Sequence, residues 1–234
     1  MQQLPLDLGF MPAQGRDDFI ISDCNRLAAE WIDRWPDWPG QFPVLNIVGP
    51  AASGKSHLAA VWQATSNAEI LQPDGAGDAP ASNIILDHPQ SGDSAGEEGL
   101  FHCLNALNAS SRSMLILSRT PVARMDWQLA DLASRMRSVN LVQLDGPDDA
   151  LLRALLEKYF ADRQLAVGPA LLDYIVARIE RSFAAVQIIA AEMDRQSLAQ
   201  QRSLTMPLAR EIMDRFADGT LGMRPPLPQI TDPA

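Results

Sequence analysis

The most restrictive feature of the sequence is residues 44–58. An apolar run rich in β-branched residues leads into Gly49, four residues follow, and Gly54, Lys55 and Ser56 open a helical pattern. This is the phosphate-binding loop GxxxxGK[ST], in the strand-to-helix context that the motif requires. Backbone N–H groups of such a loop, together with the N-terminus of the following helix, bind an anion. The stretch therefore predicts an α/β domain that binds phosphate groups.

Individual positions in the loop have expected roles. Lys55 is expected to contact the outer phosphates, and the hydroxyl of Ser56 is expected to bind Mg²⁺. Ser53 and His57 flank these two residues and are expected to line the same nucleotide site. Lys55 is one of only two lysines among 19 cationic side chains. Because the chain otherwise uses arginine, a lysine at this position favours phosphate binding over a chance glycine-bearing turn.

Two later strands end in polar residues that could complete this site. Residues 83–87 read as an apolar strand ending in Asp87, and residues 113–118 as another ending in Ser118. Open α/β sheets bind ligands at the carboxyl ends of their strands. Asp87 is therefore expected to hold Mg²⁺, directly or through water. Ser118 could sense the outer phosphate, or it could serve only the turn that follows its strand.

The order of elements predicts the fold class. Five predicted strands alternate with helices, which demands a parallel sheet covered by helices. The predicted strands are 44–48, 68–71, 83–87, 113–118 and 138–144; helices are predicted at 56–66 and 99–109, with a polar loop at 89–99 and a further helix around 129–133. Asp145-Gly146-Pro147 then breaks the pattern, and four amphipathic helices follow. We expect an N-terminal extension (1–14), a P-loop α/β domain (15–146), a small helical domain (147–217) and a flexible tail (218–234).

Composition limits the function further. The net charge of −10 argues against DNA binding through the overall field of the chain. The two cysteines are far apart and form no CxxC pair, which indicates a reduced, cytoplasmic compartment. No apolar run is long enough to span a membrane. Positive charge concentrates between residues 110 and 137, so this segment is expected to face an anion, either a nucleotide phosphate or an acidic protein surface. Its arginines are Arg112, Arg119, Arg124, Arg135 and Arg137.

The N-terminus carries a second motif. Gln3 begins a stretch in which Leu4, Leu6 and Leu8 alternate with a proline or polar residue. Proline disfavours a helix here and favours extended structure. The stretch resembles QLxLxL, a form of the short peptide with which bacterial proteins bind the DNA polymerase sliding clamp. The alternative is an apolar strand that packs on its own domain.

A phosphate loop on a five-stranded sheet, followed by a helical domain, resembles the AAA+ ATPases. Within them, residues 19–26, the loop, the strand ending in Asp87 and the box Leu132-Ala133-Ser134-Arg135 resemble the bacterial replication initiator DnaA. The likeness covers roughly residues 15–217. DnaA carries a further C-terminal DNA-binding module, for which we see no pattern here. We therefore expect a DnaA-related regulator of replication initiation with no sequence-specific DNA binding.

The resemblance assigns roles to residues. It implies that Gln3, Leu4, Leu6 and Leu8 bind the sliding clamp. It implies that the loop and Asp87 hold ADP or ATP with Mg²⁺; the residues concerned are Gly49, Ser53, Gly54, Lys55, Ser56, His57, Asp87 and Ser118. Arg135 would be an arginine finger that stimulates hydrolysis of the ATP bound to DnaA. A homodimer is left open.

Two departures from hydrolysing relatives argue against strong ATPase activity of the chain itself. His88 follows Asp87, where many relatives carry a second acid, and Ala184 stands where they carry an arginine that touches the nucleotide. Two alternatives remain at this point. One is an autonomous AAA+ ATPase of the helicase-loader type, and the other is an interaction module with a vestigial loop.

Overall fold

The computed structural model describes residues 15–40, 42–71, 81–200 and 203–219. The chain divides between Asp148 and Asp149 into two compact units. In the described residues, no helix is both long and apolar enough to cross a membrane. The clamp-binding peptide predicted at Gln3, Leu4, Leu6 and Leu8 lies outside the described residues, and so does nearly all of the predicted tail.

The first unit contains the predicted five-stranded parallel sheet. Its strands are β1 (Val44–Val48), β2 (Glu69–Leu71), β3 (Ile84–Asp87), β4 (Met114–Ser118) and β5 (Asn140–Gln143). Their order across the sheet is β2-β3-β4-β1-β5. Val48 pairs with Ser118, and Leu117 pairs with Asp87. The ends of β3, β4 and β1 therefore meet side by side at one edge, as the sequence predicted for Asp87 and Ser118.

Helices cover both faces of the sheet, because strand residues alternate in direction. Leu115 and Leu117 pack in one core with helices α1 (Arg26–Asp33) and α2 (Lys55–Ser66). Met114 and Ile116 pack in a second core with helices α3 (Ser94–Ala109) and α4 (Ala130–Arg137). Strands buried on both faces explain why the sequence shows continuous apolar runs instead of alternation.

The predicted polar loop at 89–99 was wrong in its second half. Helix α3 begins at Ser94 and not at residue 99. The side chain of Asp93 caps it by accepting a hydrogen bond from the N–H of Ala95, at 3.3 Å. The glycines and charges of this stretch predicted a loop, but a good N-cap and a buried Glu97 permit a helix there.

The second unit is a helical bundle, as predicted. Its helices are α5 (Asp149–Asp162), α6 (Pro169–Val176), α7 (Phe183–Gln200) and α8 (Met206–Ala217). Gly168 and Thr205 are N-caps followed closely by proline, a residue that favours the first helical turn. Leu156, Phe160, Ile175, Ile189 and Ile212 are almost fully buried in a single core. Amphipathic periodicity alone predicted this bundle.

Candidate functional site

The phosphate-binding loop connects the end of β1 to the start of α2. At Gly49, an added Cβ would lie 2.7 Å from the Ser53 hydroxyl and 2.9 Å from the Leu144 carbonyl oxygen, so only glycine fits. Gly54 caps α2 in the left-handed region, at φ +93°, which glycine adopts without strain. The two glycines of the motif thus permit a tight loop that runs directly into the N-terminus of α2. That arrangement is suited to an anion.

Lys55 lies inside this loop and is only 6% exposed. Its Nζ donates hydrogen bonds to the carbonyl oxygens of Gly49 (2.8 Å) and Pro50 (2.7 Å). Burial lowers the pKa of Lys55; nearby Asp87 opposes this shift, and nearby Arg119 adds to it. Nζ also lies 3.5 Å from the hydroxyl of Ser53. A buried ammonium whose hydrogen-bond partners are all neutral would gain from a polyanion, which compensates its charge more fully.

Asp87 ends β3 next to the loop, and His88 accompanies it. The Nδ1 atom of His88 lies 2.6 Å from Oδ1 of Asp87. His88 itself has a left-handed backbone (φ +52°), and its N–H donates to the Leu117 carbonyl oxygen at 2.9 Å. The carboxylate is exposed, as the side chain of Ser56 also is. Both can reach a ligand at the sheet edge, and carboxylate and hydroxyl oxygens suit Mg²⁺. No cluster of three potential metal ligands occurs in the described part of the chain.

Ser118 lies at the predicted edge but is only 1% exposed. Its hydroxyl accepts a hydrogen bond from Nδ2 of Asn46 at 2.9 Å. Asn46 also donates to the Ile116 carbonyl oxygen (3.1 Å) and accepts from the N–H of Val122 (3.1 Å). Asn46 was missed from the sequence, where the signal was a lone amide inside an apolar strand. These bonds favour the second reading of Ser118, a role in the turn after its strand.

The segment before α1 packs on the start of α2. The ring of Phe19 meets His57 edge-on, with centroids 5.2 Å apart, and Nε2 of His57 lies 3.1 Å from the Gly15 carbonyl oxygen. A Cβ added at Gly54 would lie 3.5 Å from Cε2 of Phe19. His57 thus links the segment to the phosphate loop. Its predicted place in a nucleotide site stays a prediction.

Arg135 lies in the last turn of α4 and is half-buried. Its guanidinium carbon is 4.4 Å from the ring centroid of Phe101 and 5.3 Å from that of Phe42. Nη1 is covered and has no hydrogen-bond partner, and no ion pair joins Arg135 to any described residue. Arg137, two residues on, is exposed. Arg135 is thus a held cation with an unsatisfied donor, unlike a freely solvated surface arginine.

Glu97 positions the helix that carries Arg135. It is 1% exposed, and its carboxylate accepts hydrogen bonds from the N–H groups of Gly92 (2.9 Å) and Leu129 (2.8 Å). Leu129 is the N-cap of α4. Burial raises the pKa of Glu97, but the backbone N–H groups around it lower the pKa by more, so it lies below the ordinary value. Hydrophobic periodicity did not predict this buried carboxylate.

Comparison with known proteins agrees with this geometry. Residues 148–213 match the Hda lid domain family. The chain superimposes on domain III of the Thermotoga maritima replication initiation protein DnaA with a TM-score of 0.73 and 15% identity, covering 92% of this chain and 99% of that one. AMPPCP-bound DnaA from Aquifex aeolicus matches with a TM-score of 0.67 and 16% identity, over 86% of this chain and 70% of that one.

A sequence relative has no assigned role. It is an uncharacterized protein of Haemophilus influenzae, 25% identical over 193 residues, which make up 74% of this chain and 82% of that protein. The five-stranded parallel sheet, its phosphate loop and the helical bundle together define a DnaA-like AAA+ fold. The helical unit matches the Hda lid domain family, and the fold of the chain is like that of DnaA domain III.

Proposed function

We propose that the phosphate loop binds ADP or ATP, mainly as a structural ligand of this chain. The tight loop around Gly49, the helix N-terminus at Gly54 and the buried ammonium of Lys55 support this. The similar DnaA from Aquifex aeolicus was solved with AMPPCP bound, which points the same way. Ser56 and Asp87 would hold Mg²⁺, whose charge would neutralise phosphate oxygens.

We further propose that the chain regulates replication initiation by stimulating hydrolysis of the ATP bound to DnaA. Arg135 would enter the partner's site as an arginine finger, where its planar donors meet charge that gathers on phosphate oxygens. The observation that carries this proposal is the state of Arg135 in the described residues. It is held between two rings, has no ion pair, and leaves Nη1 unsatisfied.

The covered position of Nη1 has a consequence for this role. Nη1 is covered, so this donor cannot reach a partner's phosphate unless the guanidinium turns outward. Leaving the rings would cost about 0.5–2 kcal/mol of cation–π attraction. Charge-assisted hydrogen bonds to a phosphate, roughly 1.5–3 kcal/mol each, would offset that cost. Turning Nη1 outward would therefore be favourable only when a partner supplies the anion.

The N-terminal peptide would bring the chain to the sliding clamp. Gln3, Leu4, Leu6 and Leu8 would bind the sliding clamp as an extended strand with alternate leucines in an apolar groove. A clamp-bound chain would then meet DnaA at a raised effective concentration. Self-association into a homodimer is compatible with this scheme but is not required by it.

The second candidate is an autonomous ATPase of the helicase-loader type. The intact loop and Asp87 favour it over a vestigial site, but the neighbour of Asp87 is a histidine in contact with its carboxylate. His88 is not the second acid that many hydrolysing relatives carry after this aspartate. Ala184 also supplies no cation. We therefore favour the regulator.

Two assays test the proposal together. Turnover of free ATP by the purified chain should be negligible. Decay of ATP held by DnaA should accelerate when the chain, sliding clamp and DNA are all present, and not when the clamp is omitted. Steady turnover by the chain alone, with no effect on DnaA, would select the ATPase instead.

A further inference from the structure

Arg119 occupies the point where the phosphate loop and Asp87 come together. It directly follows Ser118 at the end of β4, the strand between β1 and β3. On one side, the N–H of Gly49 donates to the Ser118 carbonyl oxygen at 3.1 Å. On the other side, the N–H of His88 donates to the Leu117 carbonyl oxygen at 2.9 Å. The backbone therefore delivers Arg119 between the loop and the carboxylate of β3.

Arg119 adds a cation at this sheet edge. It lies one residue beyond Ser118, which pairs with Val48, and two residues beyond Leu117, which pairs with Asp87. Arg119 is exposed, and no described residue forms an ion pair with it. Two cations thus face one carboxylate, and that carboxylate already contacts His88. This excess of positive over negative charge is what a phosphate chain would neutralise.

Ser118 is not available to contact a ligand at this edge of the sheet. Its hydroxyl is buried and bonded to Asn46, so it is turned away from solvent at the sheet edge. Arg119 is the next side chain and is exposed at the same edge. The polar group of β4 that can meet a ligand is therefore the guanidinium and not the hydroxyl.

We propose that Arg119 binds the phosphate chain of a nucleoside diphosphate held in this chain's own loop, as a second cation beside Lys55. The inference rests on the proposed nucleotide binding and adds a residue to it. A guanidinium offers several donors to phosphate oxygens at once, and it needs no metal to do so. Arg119 then retains part of the affinity when Mg²⁺ is removed.

Calorimetric titration with ADP, with and without Mg²⁺, tests this directly. Arg119→Ala should weaken binding by about 10-fold to 100-fold, the loss expected for charge-assisted hydrogen bonds. The loss should be greater without Mg²⁺, because fewer positive charges then remain on the phosphates. Inorganic pyrophosphate should lose affinity by a similar factor, which assigns the contact to phosphate and not to the base or sugar.

Matched variants separate the possible outcomes. Arg124→Ala removes another exposed arginine of the same segment and should bind ADP as the wild type does. Melting temperatures without nucleotide should agree among the wild type, Arg119→Ala and Arg124→Ala. If Lys55→Ala loses binding while Arg119→Ala keeps it, the Arg119 inference is overturned and the nucleotide site stands. If the wild type binds neither ADP nor pyrophosphate, the proposed nucleotide site fails as well.

Discussion

The guanidinium of Arg135 stacks on the ring of Phe101, with the guanidinium carbon 4.4 Å from the ring centroid. Phe101 belongs to α3 and Arg135 to α4, so the contact joins the two helices on one face of the sheet. Both rings that hold Arg135 also pack against the core of that face. In the free chain the proposed finger is thus held against this surface and is not a freely solvated side chain.

This stacking predicts a small stability effect for Arg135→Ala. The loss of cation–π attraction costs about 0.5–2 kcal/mol, while removal of a covered, unsatisfied donor offsets part of that cost. We expect the free energy of unfolding to fall by roughly 1 kcal/mol or less. Urea unfolding measures it, with Arg137→Ala as an exposed control that should change nothing. A fall of several kcal/mol would make Arg135 a structural residue.

Glu97 predicts a pH-dependent difference in stability. Its carboxylate accepts two buried backbone N–H groups, so Glu97→Gln should lower the free energy of unfolding at pH 7 by about 1–3 kcal/mol. The pKa of Glu97 lies below the ordinary 4.5 in the folded chain. The stabilisation is therefore complete above the unfolded value and is lost as pH falls through the folded one.

Unfolding of wild type and Glu97→Gln in parallel, from pH 7 down to pH 3, checks this. The difference in free energy of unfolding between the two proteins should narrow below about pH 4.5. Glu98→Gln provides the control, because the side chain of Glu98 is exposed. If this difference were the same at every pH, the charge of the Glu97 carboxylate would not be what stabilises the fold.

Much of the fold followed from the sequence because its signals are local. A short stretch of sequence is enough to recognise each of three features: the strand-to-helix phosphate loop, the apolar strands and the helical periodicity of residues 149–217. The start of α3 did not, since its stability depends on a cap at Asp93 and on the bond between Glu97 and Leu129, which lies 32 residues further along the chain. Tertiary contacts of this kind do not produce a periodic pattern in the sequence.

The candidate site was predicted in part for the same reason. Gly49, Lys55 and Asp87 follow from motif and strand ends, and the sheet brings them to one edge. The engagement of Ser118 by Asn46 depends on strand register, which a single sequence does not specify. The nearness of Arg119 to Lys55 and the stacking of Arg135 on Phe101 likewise appear only in three dimensions.

The N-terminal peptide, which lies outside the described residues, carries a separate prediction. Replacing both Leu6 and Leu8 with alanine should abolish binding to the sliding clamp, because the alternate leucines supply the apolar anchors. The melting temperature should stay unchanged, since a terminal extended peptide contributes little to the core. Clamp binding by surface plasmon resonance and a thermal scan check the two parts. A variant that melts several degrees lower and still binds would show that the segment is structural.

Lys55 predicts a ligand effect on stability. A ligand that binds only the folded state at 100 times its dissociation constant adds about 2.7 kcal/mol. Added ADP should therefore raise the melting temperature of the wild type and not that of Lys55→Ala. Lys158→Ala, a change to the only other lysine, should respond as the wild type does. Equal shifts in wild type and Lys55→Ala would place the nucleotide elsewhere.

The most direct test of the central claim is the decay of ATP held by DnaA, measured with clamp, DNA and each variant of this chain. Arg135→Ala should reduce the stimulation by roughly 10³-fold or more, the contribution typical of an arginine finger. Arg135→Lys should recover little, because an ammonium lacks the planar donors, and Arg137→Ala should stimulate almost normally. Full stimulation by a folded, clamp-binding Arg135→Ala would contradict the account.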